Sequence, residues 1–171
     1  SKFKKGEEKQ AEEHIATIGK LQKSTEDFDT RRQQLEDEQV EKEKQRFEEM
    51  AKTWRNHEDL VEQSMKQICS KYTMDYYDKE KVPFKGKPDN AVKIANEFII
   101  FDAKSPQKDD LNNFPKYIKA QSESIKKYVQ ETDVKKDLFL VVPTNTMQVI
   151  DTTFYDQSDY RVYVITIDSL E

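Results

Sequence analysis

The chain has 171 residues, 37% of them charged and 35% hydrophobic, with three glycines and a formal net charge of -5. That length holds one ordinary domain plus an appendage, and the charge bias argues against a wholly globular protein and for a long solvated helix. Acidic residues slightly outnumber basic ones in both halves, which argues against nonspecific capture of nucleic acid by a general excess of Lys and Arg but leaves room for a small basic groove.

From Lys5 to Tyr72 there is no proline and, beyond Gly6, only Gly19, while Glu, Lys and Gln dominate. This is helix composition. Apolar residues recur at Ile15, Ile18, Leu21, Phe28 and Leu35, then at Val40, Phe47, Met50, Trp54, Val61, Met65 and Ile68. Most steps are three, four or seven, so the stripe has coiled-coil character, although it thins and slips phase around Glu36 to Arg46. At about 1.5 Å per residue the portion before Trp54 is roughly 70 to 80 Å long. A rod of this kind cannot bury its stripe alone, which predicts homo-oligomerisation through residues 1–53, with a globular domain over 54–171. The charge runs read as a solvated face. His14 has no visible partner. The single cysteine, Cys69, falls on the apolar face; one thiol builds neither a disulfide framework nor a cysteine metal site, and it fits a reducing, cytoplasmic setting. No apolar run approaches 18 residues and no leader pattern opens the chain, so neither a membrane span nor a signal peptide is expected.

Composition changes at Tyr72. Aromatics and charges mix as far as Pro83, and Pro83, Gly86 and Pro88 punctuate the stretch leading to Asp89, predicting a strand or loop. Ala91–Ile94 and Glu97–Lys104 read as a hairpin around Ala95 and Asn96. Lys108–Asp133 returns to helical spacing through Phe114, Ile118, Ile125 and Val129, with Pro115 in the first turn. Leu138–Val142 is a dense β run stopped by Pro143, a further helix is expected across Thr146–Asp156, and Arg161–Ile167 reads as a last strand. The element order predicts an α/β fold with a small mixed sheet flanked by helices behind a long N-terminal helix.

The chemistry-bearing stretch runs from Gly86 to Pro106. Side chains alternate along a strand, so Asp102 and Lys104 share one face at the end of the apolar run Phe98-Ile-Ile-Phe. Asp89, at the mouth of the preceding strand, lies beside them if the turn falls at Asn96. Two converging carboxylates repel unless something positive intervenes. Oxygen ligands select a hard ion such as Mg²⁺ or Mn²⁺, held by Asp89, Asp102 and the backbone carbonyl of Ala103. Such an ion polarises a phosphoryl oxygen and acidifies a bound water, with Lys104 orienting that water or neutralising charge. The competing reading of Asp102 and Lys104 is an ordinary strand-end ion pair.

Pro88-Asp89 followed by Phe98-Ile-Ile-Phe-Asp-Ala-Lys-Ser105 resembles the PD-(D/E)xK pattern as it occurs in the RmuC family of DNA recombination proteins, where the strand typically ends in Asp-Ser-Lys. Ala103 departs at the middle position. Gln121–Val129 resembles the family's next helix, with Lys126 where an Arg is usual and Tyr128 where a His is usual. Asp137–Pro143 and Tyr160–Leu170 resemble its later strands, and a coiled coil ahead of the nuclease domain is the family's layout. The resemblance covers roughly Trp54 to Leu170 and implies a restriction-endonuclease-like core with Mg²⁺-dependent deoxyribonuclease activity on DNA in recombination or repair. Nucleases of this class often carry a carboxylate on the helix before the hairpin. Glu58 and Glu62, one turn apart, are the candidates, and Glu58 matches the family's position better. His57 beside them reads as a surface or packing residue.

For DNA binding, Lys79, Lys81, Lys85 and Lys87 cluster before Asp89 among Tyr76, Tyr77 and Phe84, a combination suited to backbones and bases. Lysines also protect exposed sheet edges from aggregation, which is the competing reading. Lys116, Lys119, Lys126 and Lys127 form a second strip, diluted by Asp109, Asp110 and Glu123. The alternative to a nuclease is a noncatalytic DNA-binding or scaffolding protein that keeps the fold and works through its coiled coil. A structural rod with a small cap fits less well, because the apolar strands supply enough area for a core.

Overall fold

The computed structural model describes residues 2–171. The chain divides into two compact units, one up to Glu48 and the other from Glu49 to Glu171.

The first unit is made entirely from helix α1, which spans Lys2–Arg55. Its apolar residues Ile15, Ile18, Leu21, Phe28, Leu35 and Val40 are all exposed. The contacts along it are local: Thr17, Thr25 and Thr30 each donate to the carbonyl four residues back, and Arg32 lies 3.8 Å from both Asp29 and Glu36. Helical propensity and the apolar stripe shape this unit without a tertiary core.

In the second unit the last turns of α1 change character, with Ala51 and Trp54 buried. The Trp54 indole donates to Asn145 Oδ1 at 2.8 Å, and Arg55 meets Asp109 at 2.7 Å. A continuous helix to Tyr72 is expected from composition, but the structure breaks it at Asn56 (φ -96°, ψ 3°) and restarts it as α2 (His57–Lys71). Asn competes with the helical backbone for hydrogen bonds, and on either side of the break a buried ring, Trp54 or His57, reaches its acceptor.

The sheet has six strands: β1 (Asp75–Asp78), β2 (Asn90–Ile94), β3 (Glu97–Ala103), β4 (Val134–Val142), β5 (Phe154–Asp156) and β6 (Arg161–Thr166), in the order β1-β2-β3-β4-β6-β5. β1, β2 and β3 form an antiparallel meander, β3, β4 and β6 run parallel, and β5 closes antiparallel on β6. Helices α3 (Phe114–Ser124) and α4 (Lys126–Val129) make the crossover from β3 to β4. The fold is therefore α/β, a mixed sheet flanked by helices, as the element order predicts.

Alternation sorts the sheet's side chains into two faces. Phe98, Ile100, Leu138, Leu140, Val162 and Val164 pack with Phe114, Ile118 and Tyr128 from the crossover helices. On the other face, Val61, Met65 and Cys69 of α2 cover Val92 and Val141. Beyond them Phe101, Phe139, Tyr163 and Phe154 form a ladder across four strands, with ring centroids 5.0 to 5.4 Å apart.

One expected element is corrected. The helix anticipated across Thr146–Asp156 is a 3₁₀ segment, Thr144–Val149, followed by strand β5. Met147, Val149 and Ile150 supply a helical spacing, but Phe154 and Tyr155 pair with Tyr163 and Val162 on the open edge of β6. Aromatic residues with a free ladder to join favour strand over helix.

Candidate active site

The hairpin register builds the site. Ala95 and Asn96 take φ of 50° and 71° in a two-residue turn, and the pairs then run from Ile94↔Glu97 to Asn90↔Phe101. Tight two-residue turns leave no slack in register, so Asp89, just beyond the last pair, comes beside Asp102. Asn90 is fully buried and anchors this end: its side chain accepts from the Tyr76 hydroxyl at 2.6 Å and donates to the Phe101 carbonyl at 3.3 Å.

Asp89 and Asp102 clasp each other's strand. The backbone N–H of Asp89 donates to Asp102 Oδ1 at 3.2 Å, and the backbone N–H of Ala103 donates to Asp89 Oδ2 at 3.0 Å. Lys104 completes the group, its ammonium 2.7 Å from Asp102 Oδ2 with both side chains largely buried. Burial, and then the Asp102 charge, push the Asp89 carboxyl up to about 7, with Lys104 only partly offsetting them. Burial is the largest influence on Lys104 and favours its neutral form, but the charge and hydrogen bond of Asp102 together with the charge of Asp89 outweigh it and hold the ammonium above its usual range. Two buried acids thus share one ammonium, and the second acid carries a proton near neutrality.

Neighbouring elements support the clasp from below. The Lys104 backbone N–H donates to the Val141 carbonyl of β4 at 2.9 Å. The same carbonyl accepts from His57 Nε2 at 2.7 Å. Because a carbonyl only accepts, Nε2 carries the proton. Burial pushes the His57 imidazole below its ordinary range, against the pull of that hydrogen bond. His57 is thus a core residue tying α2 to β4, the packing role expected for it and not a surface one.

The remaining candidates divide. Glu58 pairs with Lys79 at 3.2 Å, is exposed, and adds to the field that raises Asp89. Glu62, one turn along, is engaged by Lys66 instead. Lys81 is held by Asp78 at 3.4 Å. Lys85 and Lys87 are exposed and line a shallow hollow with Phe84 and Glu131. Lys126 and Lys127 open α4, also exposed, and the Lys127 ammonium lies 4.9 Å from the Tyr128 ring centroid.

Tyr128 is the member that periodicity misplaces. The expected stripe runs through Ile125 and Val129, but the helix breaks between α3 and α4 and turns Tyr128 inward. There burial, followed by the charges of Asp102 and Asp89, pushes its hydroxyl pKa up. The signal in the sequence is its departure from the His expected on resemblance.

Among the described residues no cluster of three or more His, Cys, Asp or Glu side chains has metal-holding geometry. Mg²⁺ is commonly bound by one or two carboxylates with the rest of its shell water, so two acids suffice if the donors are right. They are all oxygen. In an extended strand one residue's N–H and C=O point to the same side, so the Ala103 carbonyl faces the side on which its N–H meets Asp89. The donor set fits a hard divalent cation.

Compared with known proteins, the chain matches no family model, no curated protein and no solved structure. Among the described residues no helix is long and apolar enough to cross a membrane.

Proposed function

We propose that this protein hydrolyses phosphodiester bonds in DNA with a divalent metal, through a nuclease-like core tethered to a self-associating helix, in recombination or repair. One observation carries the reading: Asp89, Asp102 and Lys104 converge within hydrogen-bond distance at the carboxyl end of a buried strand. Burying two acids against one ammonium costs stability, and buried, strongly perturbed acids of this kind cluster at functional sites.

Asp89, Asp102 and the Ala103 carbonyl would hold Mg²⁺ or Mn²⁺. When bound, such an ion polarises the phosphoryl oxygens and lowers the pKa of water. Lys104 orients the attacking water and counters the charge that develops on phosphate. Asp89 would give up its proton on holding the cation. No ion pair among the described residues holds Lys85, Lys87, Lys126 or Lys127, and these four bind the phosphate backbone. Lys81, already paired with Asp78, contributes less. Glu58 assists from the rim, and Glu62 is the weaker candidate because Lys66 engages it. The exposed stripe of α1 supports pairing with a second copy. The single buried thiol suits a reducing, cytoplasmic compartment.

Cleavage of linear double-stranded and single-stranded DNA in Mg²⁺ or Mn²⁺ tests this, comparing wild type with Asp102→Ala and Lys104→Ala. Each variant is expected to lose at least about two orders of magnitude in rate, as for removal of one charge-stabilising group. Equal activity in all three proteins removes the assigned site.

A second reading is favoured by the self-sufficiency of the cluster: Lys104 already neutralises Asp102, and Asp89 is protonated near pH 7. On that reading the domain is a noncatalytic DNA-binding or scaffolding module. DNA binding without cleavage, and without Mn²⁺ uptake, selects it.

A further inference from the structure

Between the loop that carries Lys85 and Lys87 and the end of the crossover lies a hollow of about 600 Å³, within the size range of small-ligand sites. Three chemistries line it. Val82, Pro83 and Phe84 give an apolar floor, Lys85 and Lys87 a cationic rim, and Glu131 a carboxylate. Val82 is buried, and the half-buried Phe84 packs against the sheet's core, its ring edge-on to Phe98 with centroids 5.4 Å apart. The floor is therefore an extension of that core. Of the other aromatics among these lysines, Tyr76 is engaged by Asn90 and Tyr77 packs on Phe98, and neither lines the hollow.

Two segments far apart in sequence meet here. Gly86, between the two lysines, lies so close to the Tyr128 ring that a Cβ there would fall 2.5 Å from Cδ1. Glu131 follows in the turn after α4, its backbone N–H donating to the Tyr128 carbonyl at 3.2 Å. The lysine side and the carboxylate side of the hollow are thus both packed on Tyr128. Lys87 carries φ of 48°, a left-handed conformation that costs a lysine energy, and strain of this kind gathers at ligand clamps. Among the described residues no ion pair joins Glu131 to Lys85 or Lys87. A surface that only gripped a duplex backbone gains nothing from a carboxylate among its lysines, because phosphates repel it. A base edge supplies what that carboxylate wants, an amino N–H to donate, as cytosine N4 does to Asp or Glu. In a duplex both faces of a base are stacked on its neighbours and none can lie on the floor, whereas an unpaired base is free to do so.

We infer that this hollow seats one unpaired nucleotide of single-stranded DNA. The base lies on Val82, Pro83 and Phe84, its N–H edge donates to Glu131, and the flanking phosphates meet Lys85 and Lys87. Lys87 is two residues from Asp89, at most about 7 Å of chain, so the seated nucleotide neighbours the phosphate to be cut. The inference rests on the nuclease reading and deepens it by naming the substrate class as single-stranded DNA.

The experiment uses the full chain in EDTA, so that binding is read without cleavage. Fluorescence anisotropy compares a labelled single-stranded oligonucleotide of mixed sequence with the duplex of the same length, for wild type, Phe84→Ala and Glu131→Gln. Wild type is expected to bind the single strand more tightly. Phe84→Ala is expected to weaken single-strand binding about 5- to 150-fold, the effect of losing one base stack, and to leave duplex binding within about twofold. Glu131→Gln removes the repulsion and weakens the acceptor, so it is expected to strengthen duplex binding but not single-strand binding, narrowing the preference. Equal affinity of wild type for the two DNAs, or a Phe84→Ala loss shared equally between them, overturns the subsite. If Phe84→Ala folds poorly by circular dichroism, Glu131→Gln carries the comparison, and a preference it leaves unchanged overturns the subsite as well. Failure of the hydrolytic reading looks different. Single-strand preference that Phe84→Ala abolishes, with no cleavage once Mg²⁺ is added, removes the chemistry and supports the subsite. Asp102-dependent cleavage of duplex with no single-strand preference removes the subsite and leaves the chemistry. Binding to neither DNA overturns both.

Discussion

Leucine fares differently in the two units: Leu21 and Leu35 of α1 remain 62% and 56% exposed, whereas Leu138 and Leu140 of β4 are 0% exposed. Both pairs obey a regular pattern, one helical and one alternating. A lone helix has a face but no inside, so its stripe gains nothing until another helix covers it. A sheet with helices against both faces generates an inside from its own chain. The lesson is that patterning announces which side chains want burial, and only topology says whether this chain can provide it.

The largest test of that contrast is Leu140→Ala, which should destabilise the sheet unit by about 2 to 5 kcal/mol, as for a fully enclosed leucine. Urea unfolding measures it, and a loss below about 1 kcal/mol would mean the β4 site is not the closed core described. Next comes Leu21→Asp. If the α1 stripe is an interface, removing one leucine's burial, about 1.5 to 3 kcal/mol, weakens self-association roughly 10- to 100-fold. Sedimentation at graded concentrations reads this, and unchanged association would show that the stripe pairs with nothing here.

Smaller effects come from titration of the metal-free protein. The Asp89 carboxyl is raised from 3.8 to about 7 by burial and then by Asp102, so the folded state holds that proton more tightly than the unfolded one. Its contribution to stability is complete below pH 3.8 and is lost as pH rises through about 7. His57 runs the other way. Burial lowers its pKa from 6.5, so its contribution is complete above pH 6.5 and is lost as pH falls through its folded value. The two contributions therefore oppose each other across the same acid-to-neutral window, and Asp89→Asn, which leaves His57 unopposed, should make the melting temperature climb more steeply as pH rises towards 6.5. Metal added at about pH 6 should release a proton, with release vanishing well above about pH 7. Metal uptake with no proton release at that lower pH would contradict the raised Asp89.

The smallest expected change is Ala95→Asn. Ala95 carries φ of 50° in the hairpin turn, a conformation that costs an L-residue about 1 to 2 kcal/mol and that Asn tolerates better. A gain of about 0.5 to 1 kcal/mol is expected by thermal unfolding. No gain would mean that the turn relaxes at no cost.

Much of the molecule is written in local pattern. The rod over α1, the hairpin at Ala95-Asn96, the strand from Leu138 and the pairing of Asp102 with Lys104 all follow from periods of 3.6 and 2, turn residues and the two-residue rule, because each depends on neighbours in sequence. The approach of Asp89 to Asp102 follows too, since a two-residue turn leaves register no freedom.

What required the folded molecule is everything carried across the crossover. Tyr128 turns inward only because α4 starts afresh after Ser124, and Gly86 is pressed by a ring from that helix. His57 finds Val141 through a break at Asn56 that composition does not announce, and Phe154 leaves a helical spacing because β6 has an edge to offer. Sequence alone determined most of the elements and the convergence of Asp89, Asp102 and Lys104, whose geometry is local. Tertiary structure decided the pairing of Glu58 with Lys79 and the fate of each apolar stripe, since burial and partners far apart in the chain have no sequence period.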